Sequence, residues 1–172
     1  MGRLLLALAL ANGACSAPPA DRAPRLGLAL SALPDLGLEG SFDWRVAELA
    51  RGDLRAELHG AQQFLDDEDF ADDGNSSAGD WTQAGLGLRW IATPVAEGSW
   101  EWIAGLVWFE ARGEPNLIEL PGHYLGLRFG FGYRVRLTPS IDLGPELVGI
   151  LAQGEGDCVL VPQLVWGLRV RL

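Results

Sequence analysis

The sequence predicts an all-β fold in which eight antiparallel strands run up and down and close on themselves as a barrel. Three observations predict it. Apolar and polar residues alternate with period two in run after run, the turn signals between runs alternate in length, and no helical periodicity interrupts the series. The clearest run is GHYLGLRFGFGYRVRL. There Leu125, Leu127, Phe129, Phe131, Tyr133, Val135 and Leu137 share one parity, and Gly126, Arg128, Gly130, Gly132, Arg134 and Arg136 share the other. Successive strand side chains point to opposite faces, so this is a strand with one bulky apolar face and one of glycine and arginine.

The other runs follow in order. Residues 25–33 (RLGLALSAL) are the shortest and end on the turn LPDLG. Residues 36–48 set Leu36, Leu38, Phe42, Trp44 and Val46 against Glu39, Ser41, Asp43 and Arg45, then turn at ARGD. Residues 53–65 set Leu54, Ala56, Leu58 and Phe64 against Arg55, Glu57, His59 and Gln63, and DDEDFADDGNSSAGD follows. Residues 81–93 oppose Ala84, Leu86, Leu88 and Trp90 to Gln83, Gly85, Gly87 and Arg89 before TPVAEGS. Residues 99–111 oppose Trp100, Trp102, Leu106 and Trp108 to Glu101 and Gly105, with Ile103, Val107 and Phe109 breaking the pattern, and RGEPNLIELPG follows. After the run at 123–137 come TPS and the run at 141–152, which carries Asp142 and Glu146. QGEGDC then leads to 159–172, where Leu160, Leu164, Trp166, Leu168, Val170 and Leu172 oppose Gln163, Gly167, Arg169 and Arg171. From the connection after residues 53–65 onward they run long, short, long, short, long, so neighbouring runs form antiparallel hairpins. That pattern fits a closed sheet or a two-sheet sandwich. Pro145 and Pro162 each remove a ladder hydrogen bond and predict bulges.

Packing decides which face is wet. An eight-stranded barrel has an interior just wide enough for side chains to fill, and the bulky face, with several tryptophans, does not fit inside it. Turned outward, that face leaves the lumen to Gly85, Gly87, Gly105, Gly126, Gly130, Gly132 and Gly167 with arginines and carboxylates between them. Glycine on exposed positions of a soluble strand would only weaken it. Apart from the nine residues of 25–33, the runs also exceed the roughly 9 to 11 residues that a tilted transmembrane strand needs. Trp81, Trp90, Trp100, Trp102, Tyr133 and Trp166 lie toward strand ends, where interfacial girdles belong.

Composition narrows the partners. Among 172 residues there are 13 basic and 23 acidic ones, every basic residue is arginine, and the net charge of −10 argues against nucleic acid. No stretch reaches the roughly 18 to 20 apolar residues of a membrane-spanning helix, so any insertion is by strands. Residues 1–20 read as a secretory signal and short linker: one Arg, an apolar run from Leu4 to Ala11, small residues, then Cys15. Residues 21–172 form the barrel. Cys15 and Cys158 lie too far apart in the plan of the chain to predict a structural disulfide.

With its signal, eight runs, short turns at one end, long acidic loops at the other and the alternating terminal strand LVWGLRVRL, the chain resembles the small eight-stranded bacterial outer-membrane β-barrels. Its last residue is Leu172, where that family usually carries an aromatic. The N-terminus resembles a lipoprotein signal, which implies lipidation of Cys15. The family resemblance implies an outer-membrane location, contact with outer-membrane lipid and lipopolysaccharide, and delivery by the barrel-insertion machinery. It also puts loop 66–80 outside the cell as the candidate contact for an extracellular partner.

The predicted lumen holds Glu39, Asp43, Arg45, Arg55, Glu57, His59, Arg89, Glu101, Arg128, Arg134, Arg136, Asp142, Glu146, Arg169 and Arg171. Mixed charge in a narrow bore reads as a plug of ion pairs, since buried ions are tolerated only when paired; an ion-selective pore would need a wider ring. The carboxylates of 66–73 lack the spacing of a calcium loop, and no cofactor motif is present, so no metal or cofactor is expected. The alternatives are a lipid A-modifying enzyme of the outer-membrane barrel class and an exported soluble β-barrel or sandwich lipoprotein that binds an apolar ligand. For a deacylase neither His59 nor His123 has a serine two residues away; an acyltransferase would draw on His123, Ser76 and Ser77. The sequence thus favours a structural or surface-interaction role over catalysis.

Overall fold

A computed structural model describes residues 23–33, 36–65, 79–93, 98–112, 122–154 and 158–172. They form β1 (Arg25–Leu33), β2 (Gly37–Leu49), β3 (Gly52–Leu65), β4 (Gly79–Ala92), β5 (Gly98–Arg112), β6 (Gly122–Thr138), β7 (Ile141–Gln153) and β8 (Cys158–Arg171). Each strand pairs antiparallel with its sequence neighbours, and β1 pairs with β8 to close the barrel. Closure leaves no sheet edge unpaired, which is what a β-structure surrounded by lipid requires. The start of β1 and the end of β8 lie at the end of the short turns: Leu172 N donates to Pro24 O at 3.0 Å and Arg171 N to Ser140 O at 2.9 Å. The segments 1–22 and 66–78, with Cys15 and the acidic run, lie outside the described residues.

The register departs from expectation at the prolines. Shifts fall at Ser31/Leu33, Arg45/Ala47 and Arg136/Thr138. Pro145 and Pro162 instead sit in uninterrupted register between β7 and β8, opposite Trp166 and Gly149. On its other side, Pro145 lies where the β6–β7 pairing skips from Gly132–Glu146 to Val135–Leu143. The missing N–H is thus absorbed as a local gap rather than as a bulge. Arg134 fills it from the lumen, its Nη1 donating to Gly144 O at 2.9 Å and also to Gly167 O.

The barrel is inverted relative to a water-soluble protein. Among the described residues, seventeen polar or charged residues are buried against twelve hydrophobic ones. Leu28, Leu86, Leu106, Leu125, Phe129, Leu160 and Trp166 are all about half exposed or more. An apolar exterior of this extent needs an apolar solvent. This corrects the soluble carrier alternative, whose apolar face would line the interior.

The outer aromatics gather near the short turns on β4–β6: Trp90 packs on Trp102 with centroids 4.7 Å apart, and Trp100 on Tyr133 at 5.1 Å. At the loop end, Trp108 stacks on His123 at 5.7 Å. Trp81 does not join this girdle. It is 1% exposed and points into the lumen.

Phe129 lies at mid-strand on the outer face, paired with Ala104 and Gly149. Phe129→Arg is expected to lower barrel stability in lipid vesicles by about 2 to 4 kcal/mol, the cost of a cation near the bilayer midplane. Urea titration of refolded protein measures it, and an unchanged midpoint would mean the faces are reversed.

Candidate functional site

The lumen is built from two adjacent cross-strand rows. Arg45, Arg55 and Arg89 stand opposite one another across β2, β3 and β4. Directly opposed like charges repel, and each arginine turns instead to a different carboxylate. The next inward-facing row toward the loop end, in which Arg25, Asp43, Glu57 and Gly87 are register partners across β1–β4, supplies Asp43 to Arg55 and Glu57 to Arg89, while Arg45 turns the other way, to Glu48 and Asp53. Alternation along β2 and β3 therefore sets Arg45 and Arg55 one layer from Asp43 and Glu57, and a Cβ at Gly87 would meet the β5 backbone, 2.7 Å from Ala104 O and 3.0 Å from Gly105 Cα.

At the centre, Arg89 joins three strands other than its own. Its Nε and Nη2 form a two-point contact with Glu57 at 2.6 and 3.0 Å, and its Nη1 reaches Glu101 at 2.8 Å and Glu146 at 2.9 Å. Arg169 donates to the same pair, Glu101 at 3.0 Å and Glu146 at 2.8 Å. Arg134 hydrogen-bonds Glu146 and approaches Glu101 at 3.6 Å. Arg128 reaches down to Glu39 at 2.7 Å and Glu57 at 3.3 Å. Four arginines from β4, β6 and β8 thus meet four glutamates from β2, β3, β5 and β7, so formal charge within the group balances. The planar guanidinium, with five donors, suits this sharing of carboxylates.

The remaining predicted residues lie nearer the short-turn end. Arg55 binds Asp43 and donates to Ala23 O at 2.5 Å. Arg45 pairs with Glu48 at 2.5 Å and Asp53 at 3.0 Å, and Arg171 with Asp142 at 2.5 Å. Arg136 is at the rim, its side chain 50% exposed and 3.7 Å from Asp142, so it is not part of the bore. His59 is buried, its ring beside Gly85, where a Cβ would collide with it.

Neither histidine forms a catalytic pair of the expected kind. His123 faces outward against Trp108, while Ser76 and Ser77 lie outside the described residues. Register puts Ser41 opposite His59, but both point into the closed lumen. Among the described residues no group of three His, Cys, Asp or Glu is placed to hold a metal ion.

Toward the loop end the bore changes character. Trp81, Phe109 and Tyr124 pack as a lid, with centroids 5.4 Å apart for Trp81–Phe109 and 4.7 Å for the stacked Phe109–Tyr124 pair. Val107, Ile150 and Val161 pack beneath them. The sequence carried a signal for this: Trp81 shares the parity of Gln83 and Arg89, and Val107 and Phe109 that of Glu101. Aromatic residues near a strand end nevertheless suggest an interface first.

No family model matches the chain, and no curated protein matches its sequence. Solved structures do share its fold. Neisserial surface protein A superposes with a TM-score of 0.60 at 15% identity, covering 87% of this chain and 93% of that one. The N-terminal β-barrel domain of Pseudomonas aeruginosa OprF gives 0.55 at 13% identity over 87% and 98%. Ail, the attachment invasion locus protein of Yersinia pestis, gives 0.51 at 13% identity over 87% and 94%.

Arg89→Met is expected to cost about 3 to 5 kcal/mol, because three buried glutamates lose their shared cation. Arg136→Gln, at an exposed rim pair, is expected to cost less than about 1 kcal/mol. Parallel urea unfolding in vesicles of the two variants measures the contrast; equal effects would remove the network from the stability of the barrel.

Proposed function

We propose that this chain is a bacterial outer-membrane β-barrel with a structural or surface-interaction role and a lumen plugged by charge. The observation that carries the reading is the inversion itself, an apolar exterior around a balanced group of four arginines and four glutamates. Such a group resists opening: separating one pair would leave a poorly solvated ion in the bore. The lumen network comprises Glu39, Glu57, Glu101, Glu146, Arg89, Arg128, Arg134 and Arg169, with Asp43 and Arg55 beside it.

Residues 1–20 act as export signal and linker ahead of the barrel at 21–172, and Cys15 is the candidate lipid attachment point. The outer aromatics Trp90, Trp100, Trp102 and Tyr133 provide an interfacial anchor for the short-turn end. On this reading the barrel meets outer-membrane lipid and lipopolysaccharide through its wall and is inserted by the barrel-insertion machinery. Any extracellular partner is met through 66–80, whose acidic character favours cationic surfaces.

Washing membranes with high salt and then carbonate should leave the protein in the membrane fraction, and unheated samples should migrate differently from heated ones on a gel. Release into the soluble fraction would sink the reading. In a planar bilayer the wild-type barrel should show little or no conductance; stable ion-selective steps would replace the plug by a pore. Protease added to intact cells should cut between Leu65 and Trp81 and spare the strands, and protection of that segment would reverse the topology.

A further inference from the structure

Between the ionic network and the aromatic lid lies a layer of polar side chains whose hydrogen-bonding groups are not all met. Gln63, Gln83, Gln163 and Trp81 are each at most 1% exposed. Among the described residues, both terminal atoms of Gln83 and of Gln163, Gln63 Oε1 and Trp81 Nε1 make no hydrogen bond to another group, and the same is true of His59 Nε2 at the lower margin.

The register brings most of these groups onto one side of the bore. Ser31, Gly37, Gln63 and Trp81 are successive register partners across β1–β4. Gln83 is the next inward-facing position on β4, and Gln163 follows Val165, the β8 partner of Ser31. A Cβ on Gly37 would lie 2.6 Å from Gln63 Cγ and 3.0 Å from Ser31 Oγ, so side chains converge over that glycine. The opposite side, formed by Val107, Ile150 and Phe109, is apolar.

Buried polar groups in a folded protein are nearly always hydrogen-bonded, by ordered water where protein partners are lacking. The chemistry here selects the ligand. Glutamine amides offer both donors and acceptors, and Trp81 offers only a donor. A cation would face the indole N–H, while an anion would face the glutamine oxygens. Water satisfies both kinds of group at once. A cavity of about 10 Å³, room for about one water, lies lower still, among Gly27, Ser41, Glu39 and the network residues Arg134, Glu146 and Arg169 rather than at the glutamines themselves.

We infer that the glutamine layer is an internal water-binding site, a hydrated chamber closed above by Trp81, Phe109 and Tyr124 and below by the arginine–glutamate network. Solvent enters it from the loop end, past the lid. The inference concerns the interior alone and stands or falls independently of which membrane holds the barrel.

The test is solution NMR of the full barrel in lipid nanodiscs. The Trp81 indole N–H and the side-chain amides of Gln63, Gln83 and Gln163 should show direct cross-peaks to water. On transfer to deuterium oxide, the Trp81 indole proton should exchange at least tenfold faster than the Arg89 guanidinium protons. In Gln83→Leu, the Trp81 water cross-peak should weaken at least twofold while the Arg89 resonances stay in place. If the wild-type indole and amides show no water cross-peaks, and Trp81 is protected as well as Arg89, the layer is dry and its groups bond one another directly. That outcome overturns the inference without reference to any variant.

Discussion

The constraint on which the rest of the structure depends is that an eight-stranded barrel in lipid has nowhere to put charge except its own narrow bore. Each arginine of the interior must therefore find its acceptors on other strands. The shared contacts of Arg89 with Glu57, Glu101 and Glu146 tie β3, β4, β5 and β7 together through side chains as well as through the ladder. The closed wall of eight strands sets the positions and the diameter, and the network fits the bore it leaves. A wider bore would pull the glutamates beyond reach, and a narrower one would force the guanidiniums together.

The same demand explains details of the wall. Glycines cluster where a long polar side chain needs the space: a Cβ at Gly132 would lie 2.7 Å from Glu146 Cγ, and one at Gly167 would lie 3.2 Å from Arg134 Nη1. Pro145 opens a gap in the β6–β7 ladder, and Arg134, already committed to the acids, also accepts the structural task of donating to Gly144 O. One side chain thus serves charge balance and backbone satisfaction together.

Much of this was legible in the sequence because strand alternation is a strict two-way assignment. Once Arg89 and Glu101 are placed inside, Trp90 and Trp102 must be outside, and all eight strands followed that rule. Two kinds of feature escaped it. Arg136 has the lumen parity but lies beyond the last enclosed layer, so parity gives its face and not its depth. Trp81, Phe109 and Tyr124 lie inside although their chemistry suits the outside, because the network occupies only the short-turn part of the bore and the remainder can be filled by ordinary packing. The effect of Pro145 was misread for a third reason: a missing donor can be absorbed by a neighbouring side chain, which a strand-by-strand reading does not see.

The gradient inside the bore, ionic near the termini and aromatic toward the loops, also gives the molecule a direction of travel. For an entry in which the loop end leads, the part of the interior that crosses the hydrocarbon first carries indole, phenyl and amide groups, and the guanidiniums and carboxylates trail behind on the side from which the chain arrives. The ions then need not be carried through the full thickness of the membrane, and the pairs that span the bore, such as Arg89–Glu146, come together only as the wall closes. A barrel with the same composition and the opposite gradient would have to drag its charges across first.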